Sequence, residues 1–111
     1  MNNIIEKITA ETAQRVPKLI QDNLRRIILF GSYARGDYTE ESDIDIAVLV
    51  ECDRQDTLKF KDGLVALSAE MDLENMVVVN FVCLPYQEFN EKKEYYPFYA
   101  NIEKEGKVIY G

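Results

Sequence analysis

Residues 26–50, with the sequence RIILFGSYARGDYTEESDIDIAVLV, decide the fold of this chain. The run of residues 26–30 is β-branched and aromatic and stops at Gly31, which predicts a buried strand. Residues 43–50 alternate, with Ile and Val at every second position, which predicts a second strand. The polar segment between the two strands is barely long enough for a parallel crossover. We therefore expect antiparallel neighbours, with Gly31 and Asp43 at the same end of the sheet.

The rest of the chain alternates between helical and strand patterns. We expect an amphipathic helix over about residues 4–24, kinked or divided at Pro17, and a single helical turn at 32–35. A further helix is expected over about 57–71, and another is expected to begin near Pro85. Residues 76–84 predict a strand that is apolar enough to be buried on both faces, and residues 107–110 predict a short edge strand. These patterns predict an α/β or α+β fold, with a small sheet flanked by helices, in one domain spanning residues 1–111.

The charge balance limits the partners. With 13 basic and 20 acidic residues the net charge is −7, so a long nucleic acid would be repelled. An acidic protein can still bind a nucleotide if a divalent cation lies between its carboxylates and the phosphates. The N-terminus lacks the apolar core of a signal peptide and no stretch is long enough to span a membrane, so we expect a cytoplasmic protein.

The composition also restricts the chemistry. The chain has no His, and its two cysteines, Cys52 and Cys83, are not spaced like metal ligands, which argues against zinc sites and His-dependent catalysis. We expect two reduced, partly buried thiols. The aromatic residues of the tail are expected to pack in the core, although a surface that contacts a partner is the alternative.

Asp43 and Asp45 are the candidate metal ligands. Two carboxylates two residues apart on a strand project from one face, roughly 6.5–7 Å apart at the backbone, and can converge on shared cations. Magnesium prefers such hard oxygen ligands, and two ions can assist both the attacking and the leaving oxygen of a phosphoryl transfer. The alternative is that both carboxylates simply face solvent.

Gly31 and Ser32 form the second candidate element. A glycine at a strand end lets the backbone approach a ligand closely, and the following helical turn aims free N–H groups outward. Ser32 adds a hydroxyl donor for a phosphate oxygen. A turn glycine followed by a helix-capping serine is the alternative.

Together these residues resemble a known family. Phe30-Gly31-Ser32, ten intervening residues and then Asp43-Ile44-Asp45-Ile46 are similar to the signature of the DNA polymerase beta nucleotidyltransferase superfamily, and specifically of its minimal nucleotidyltransferases. The fuller segments Gly31–Gly36 and Ser42–Asp45 match that group, and Pro97–Ile102 with Glu105-Gly106 resembles its tail.

The resemblance implies a polymerase beta palm-like fold and an enzyme that transfers a nucleoside monophosphate with Mg²⁺, releasing pyrophosphate. Asp43 and Asp45 would be the catalytic residues and the ligands of two Mg²⁺ ions. Gly31, Ser32 and Ser42 would bind ATP or another nucleoside triphosphate, and Arg35 is a weaker candidate for a phosphate contact.

One position departs from the family pattern. Active members usually supply a third carboxylate from a later strand, and the matching position here is Asn80. An amide is a poorer metal ligand and cannot act as a base. Asn80 is the sole polar side chain of residues 76–84, so it either faces the site or is satisfied by a neighbouring loop.

Three functions follow from the resemblance. The first is an enzyme that transfers AMP to a partner, since minimal nucleotidyltransferases pair with HEPN-domain toxins and modify a tyrosine of the toxin. The second is a silent antitoxin module that acts by contact alone, which Asn80 favours. The third is transfer to a small molecule, which ranks last because such relatives usually carry a further domain. Whether the chain also forms a homo-oligomer stays open.

Overall fold

The computed structural model describes residues 3–111. The helices are α1 (Asn3–Ile20), α2 (Ser32–Arg35), α3 (Leu58–Asn75), α4 (Tyr86–Lys92) and α5 (Pro97–Glu105), and the strands are β1 (Leu24–Phe30), β2 (Ile44–Val50), β3 (Val79–Pro85) and β4 (Lys107–Tyr110). Short 3₁₀ turns at Gln21–Asn23 and Gln55–Thr57 precede β1 and α3.

The four strands form one mixed sheet in the order β3-β2-β1-β4. The strand β1 is antiparallel to β2 and to β4, whereas β2 and β3 are parallel. The mixed sheet flanked by helices and the antiparallel pairing of the first two strands are therefore confirmed, as is the short final strand at the edge.

The alternation of β2 divides its side chains between two layers. Ile44, Ile46, Val48 and Val50 belong to a core that also contains buried residues of α1 and α3. Ala47 and Leu49 face the other side, where Phe89 of α4 and Tyr99 and Ile102 of α5 cover the sheet. Asp45 has the same parity as Ala47 and Leu49, so it belongs to the face that α4 and α5 cover.

The first helix corrects one expectation. The helix α1 continues through Pro17 to Ile20, and Leu24 is the first residue of β1, so two short helices and a helix reaching residue 24 are both wrong. Val16 and Ile20 are buried on either side of Pro17. Packing of this apolar face outweighs the loss of one helical hydrogen bond near the C-terminal end.

The third strand corrects a second expectation. The sheet order places β3 at an edge, where Asn80 is exposed and Phe81, Val82 and Cys83 are only partly buried, so the expected full burial of this strand is wrong. Its apolar side chains pack under α3 on one face and beside α4 on the other. Packing on two faces therefore does not require a neighbouring strand on both sides.

The tail and the cysteines follow the expectations in part. Phe89 and Tyr99 are buried in the core, whereas Tyr95 is 70% exposed and does not pack there. Cys52 and Cys83 are free and partly buried, and burial raises the pKa of the Cys83 thiol to about 12. In the part of the chain from residue 3 onward, no helix is long and apolar enough to cross a membrane.

Candidate active site

The predicted site residues lie at one end of the sheet. Phe30, the last residue of β1, is opposite Asp45 in β2, and Asp45 is opposite Asn80 in β3. The register therefore places the Gly31 turn, the acidic strand and Asn80 in one row across three strands. Asp43 immediately precedes β2 and is exposed at the same end.

Gly31 and Asp45 are in direct contact. A Cβ atom added to Gly31 would lie 2.5 Å from Oδ2 of Asp45, so only a glycine leaves room for this carboxylate. The backbone of Gly31 has φ 77° and ψ −158°, a conformation that side-chain-bearing residues rarely adopt. Both the space and the backbone angle thus require glycine where β1 ends.

The turn after Gly31 begins a short helix. The carbonyl oxygen of Gly31 accepts hydrogen bonds from the amides of Ala34 and Arg35, each at 3.1 Å. Ser32 is the first residue of α2 and is partly buried. Amides in the first turn of a helix have no partner within that helix, so those of Ser32 and Tyr33 are available to an anion.

Asn80 lies beside Asp45 and not in a buried strand. Its Nδ2 atom donates a hydrogen bond to Oδ1 of Asp45 at 3.3 Å, while the side chain as a whole is exposed. Asp45 therefore has Gly31 against one carboxylate oxygen and Asn80 against the other. The geometry brings Asn80 to the position expected for a third acid, without a third negative charge.

The electrostatics of Asp45 favour a cation. Burial raises the pKa of its carboxyl above the usual value, the hydrogen bond from Asn80 lowers it, and the charge of Asp43 raises it again. An ionised Asp45 is thus penalised by its surroundings when no cation is bound. A bound cation would reverse that penalty, because its own charge would be the largest at the site.

Arg35 is already engaged with carboxylates. Its guanidinium forms ion pairs with Asp37 and Glu105, each at 3.1 Å. The hydrogen bond to Asp37, followed by that to Glu105, raises the pKa of Arg35. Arg35 also lies close enough to Asp45 for its charge to lower the pKa of that carboxyl, so it is near the site, with two of its nitrogens held by carboxylates.

Ser42 has a local structural role. Its Oγ atom accepts a hydrogen bond from the amide of Thr39 at 2.9 Å, and its amide donates to the carbonyl of Thr39 at 3.1 Å. These bonds close the turn that leads into β2. Ser42 and Asp43 also line a cavity of about 510 Å³ together with Tyr33.

A magnesium site fits the residues present. Among residues 3–111 no group of three His, Cys, Asp or Glu side chains could hold a metal ion. Magnesium does not need such a cage, because it binds through one or two carboxylates and completes its shell with water and substrate phosphates. Asp43 and Asp45 supply that donor set, and the glycine at residue 31 keeps space open beside Asp45.

A stacked tyrosine pair lies beside the Gly31 turn and was not predicted from the sequence. The rings of Tyr33 and Tyr38 lie 4.2 Å apart and are nearly parallel, at 10°. Tyr33 directly follows Ser32, and the left-handed Gly36 brings Tyr38 back over it. Two tyrosines on either side of a turn glycine are the signal that could have predicted this contact.

The fold and this site define a class. A mixed sheet that brings a glycine-serine turn against paired aspartates has the arrangement of a nucleotidyltransferase. The sequence profile of the nucleotidyltransferase domain family matches residues 5–110. The chain therefore belongs to that family, and it is a transferase.

Named relatives agree with this assignment. An archaeal protein of Methanocaldococcus jannaschii with the name "Putative protein adenylyltransferase MJ0604" is 38% identical over 105 residues, which cover 95% of this chain and 97% of the relative. A second protein of that organism, "Putative protein adenylyltransferase MJ0141", is 38% identical over 76 residues, covering 68% of this chain and 75% of the relative.

Solved structures share the fold. A toxin–antitoxin structure with AMP-PNP has a TM-score of 0.52 at 26% identity. The matched region covers 89% of this chain and 73% of the chain in that structure. A variant of the toxin–antitoxin pair MntA–HpeT has a TM-score of 0.54 at 25% identity. The matched region covers 100% of this chain and 73% of the chain in that structure.

Proposed function

We propose that this chain is a Mg²⁺-dependent adenylyltransferase that transfers AMP from ATP to a tyrosine of a partner toxin of the HEPN type, and so acts as an antitoxin in the cytoplasm. The names of the archaeal relatives support AMP as the transferred group. The neighbouring structures support a toxin as partner and an adenine nucleotide as ligand.

The contact between Gly31 and Asp45 carries the proposal. It joins the turn that would hold the triphosphate to a carboxylate that would hold the metal, with Oδ2 of Asp45 2.5 Å from the Cβ position of Gly31. Bound Mg²⁺ would supply charge stabilisation at the phosphates and orient them. The amides of Ser32 and Tyr33 would hold phosphate oxygens, and Asp43 and Asp45 would be the metal ligands.

The reaction replaces a phosphoanhydride bond of ATP by a phosphate ester bond to the acceptor. The hydroxyl oxygen of the acceptor forms a bond to the α-phosphorus of ATP, and the bond from that phosphorus to the bridging oxygen breaks. Pyrophosphate leaves with the electron pair. Because the amide of Asn80 cannot accept a proton, the phenolic proton passes to a phosphate oxygen of the substrate or to a group of the acceptor.

Labelling tests this function directly. ATP labelled in its α-phosphate is incubated with Mg²⁺ and the candidate HEPN-domain partner, and the native chain is compared with Asp43→Asn. Label on the partner in the native sample alone supports the enzyme. Absence of label in both samples, with partner binding intact, contradicts it and supports the silent module.

The hydrogen bond between Asn80 and Asp45 is the observation that favours a silent module, since no third carboxylate lies there. We expect Asn80→Asp to retain or raise the rate of AMP transfer, because a carboxylate adds a metal ligand and a base. Single-turnover transfer to the partner measures this. Loss of AMP-PNP binding in that variant would contradict the role assigned to Asn80.

A further inference from the structure

Exposed apolar side chains are grouped where α3 ends and β3 begins. Leu73 is 82% exposed and Met76 is 90% exposed, and Val78 is exposed as well. We call these three residues the apolar patch. A single exposed apolar side chain is ordinary, whereas a group of them with a polar rim is typical of a surface that contacts another molecule.

Met76 occupies a position that suits a smaller residue. It ends α3 in the left-handed conformation, with φ 57° and ψ 40°, and its amide donates to the carbonyl of Asp72 at 2.8 Å. Glycine and asparagine are the usual residues at such a helix end, because other side chains strain the backbone there. The long side chain of Met76 therefore helps neither the core nor the end of the helix, and its exposure suits contact with a partner.

The apolar patch is continuous with the candidate active site. Ile44 pairs with Val79 and donates its amide to the carbonyl of Val78 at 2.8 Å. Val78 and Asp43, which precede that pair, are therefore neighbours. Both of them, together with Met76, line the cavity of about 510 Å³ at this end of the sheet. A protein that covers the apolar patch thus lies against a candidate metal ligand.

Carboxylates form the polar rim of the apolar patch. The lining of the same cavity includes Glu40, Glu41 and Asp72 besides Asp43, and it has no basic residue. Within residues 3–111, none of these four carboxylates forms an ion pair, whereas every arginine is paired with a carboxylate elsewhere. Magnesium would balance the charge of Asp43. The other three carboxylates are complementary to a cationic group that this part of the chain does not provide.

We propose that the acceptor protein covers the apolar patch with an apolar side chain and places a lysine or arginine against Glu40 and Glu41, which brings its hydroxyl group to the metal site at Asp43. The proposal rests on the proposed function. Charge selects this occupant over a second copy of the chain, because two copies would each carry a net charge of −7 and repel each other. The acceptor hydroxyl thus belongs to a protein surface that is basic and apolar.

Replacing Met76 tests the apolar half of this surface without weakening the fold. In Met76→Gly the side chain is removed and the left-handed backbone loses its strain. We expect the variant to unfold at a temperature no lower than the native chain and to bind the HEPN-domain partner roughly tenfold more weakly. Val65→Ala is the control, since Val65 is exposed in the middle of α3 and lies outside that cavity. Titration with AMP-PNP and Mg²⁺ present measures binding without transfer.

Replacing Glu40 and Glu41 together by glutamine tests the charged half. Glu91 and Glu94 together replaced by glutamine are the matched control, because both are exposed and the net charge changes by the same amount. We expect the first double variant to bind the partner roughly fivefold more weakly at low salt and the control to differ by less than about twofold. High salt should reduce the difference between the two, since it screens exposed charges.

Labelling of the partner separates the docking mode from the transferase. Weaker binding by Met76→Gly and by the Glu40 and Glu41 variant, with native labelling at saturating partner, supports both proposals. Native-level binding by either variant overturns the docking mode, and labelling by the native chain then leaves the transferase intact. Equal weakening by the two double variants overturns it in favour of net charge alone. Weaker binding by both variants without any labelling supports the docking surface and contradicts the transferase. Absence of binding by the native chain overturns both.

Discussion

Two polar clusters lie at opposite ends of β2 and differ in how their charges are satisfied. At the C-terminal end of β2, which we call the far end, Arg54 forms an ion pair with Glu88, and the hydroxyl of Tyr99 donates to the same carboxylate at 2.6 Å. These three residues form the far cluster. At the N-terminal end, which we call the near end, the side-chain amide of Asn80 donates to Asp45, which lies two residues from Asp43, and the nearby Arg35 is bound to other carboxylates. Asp43, Asp45 and Asn80 form the near cluster.

The difference separates a structural cluster from a ligand site. The Arg54–Glu88–Tyr99 cluster pairs its positive charge with its negative one, and it needs nothing further. The Asp43–Asp45–Asn80 cluster holds negative charge at a partly buried position, where it opposes folding unless a cation binds. Substitutions at the two ends should therefore affect function and stability in opposite ways.

The largest effect is expected from Asp45→Asn. We expect AMP transfer to fall by more than about 100-fold, because the variant loses a direct metal ligand and the loss of a mere outer-shell partner already costs about 10- to 100-fold. At neutral pH and without Mg²⁺, the variant should unfold at a higher temperature than the native chain. The reason is that burial raises the pKa of Asp45, so its ionised form lowers the stability of the folded state.

The pH dependence gives the sign of this effect. A carboxyl whose folded pKa is raised contributes stability below its unfolded pKa, and that contribution is lost as the pH rises through the folded pKa. The advantage of Asp45→Asn should consequently vanish as the pH falls towards the usual value of 3.8. Thermal unfolding over a pH series measures it, and a variant less stable than the native chain at neutral pH would contradict the electrostatic argument.

A smaller effect is expected from Gly31→Ala, for which Gly36→Ala is the matched control. Both glycines have positive φ angles, so both alanines should lower stability: by about 1–2 kcal/mol at Gly36, which is left-handed with φ 89° and ψ 5°, and by up to about 3 kcal/mol at Gly31, whose φ of 77° and ψ of −158° are essentially restricted to glycine. A Cβ at Gly31 would meet Asp45, whereas one at Gly36 would have no atom within 4 Å. Only Gly31→Ala should therefore slow AMP transfer, by about 10- to 100-fold. Equal rates in the two variants would show that the contact with Asp45 is irrelevant to transfer.

The sequence predicted the near cluster because its parts are local. Gly31 and Asp45 belong to adjacent antiparallel strands joined by one short segment, so the alternation of β2 and the strand end before Gly31 suffice to bring them together. The edge position of β3 was not predictable, because helices covering both faces produce the same apolar run as neighbouring strands do. The continuity of α1 through Pro17 also depends on tertiary packing, which outweighs local propensity.

The far cluster was not predictable from the sequence for a related reason. Arg54 and Glu88 are 34 residues apart, and Tyr99 is 11 residues beyond Glu88. Their meeting depends on where α4 and α5 pack on the sheet. No local pattern specifies that packing, since each residue alone is an ordinary polar or aromatic side chain.

The smallest effect on transfer is expected from Tyr99→Phe, which alters the far cluster alone. The variant loses the hydrogen bond to Glu88, so we expect it to be about 1 kcal/mol less stable at neutral pH, with unchanged AMP transfer. Tyr96→Phe is the control, since it removes a hydroxyl from a neighbouring tyrosine that is 48% exposed. Denaturant unfolding and the labelling assay measure the two quantities.

The two ends of β2 should also respond differently to acid. The hydrogen bond from Tyr99, and then that from Arg54, lowers the pKa of Glu88 below its usual value of 4.5. This contribution is present above that value and is lost as the pH falls through the lowered pKa, so the stability gap between the native chain and Tyr99→Phe should narrow there. The stability difference between Asp45→Asn and the native chain also narrows as the pH falls, but there the variant is the more stable of the two. If both variants shifted stability with the same sign at neutral pH, the contrast between a satisfied cluster and a ligand site would fail.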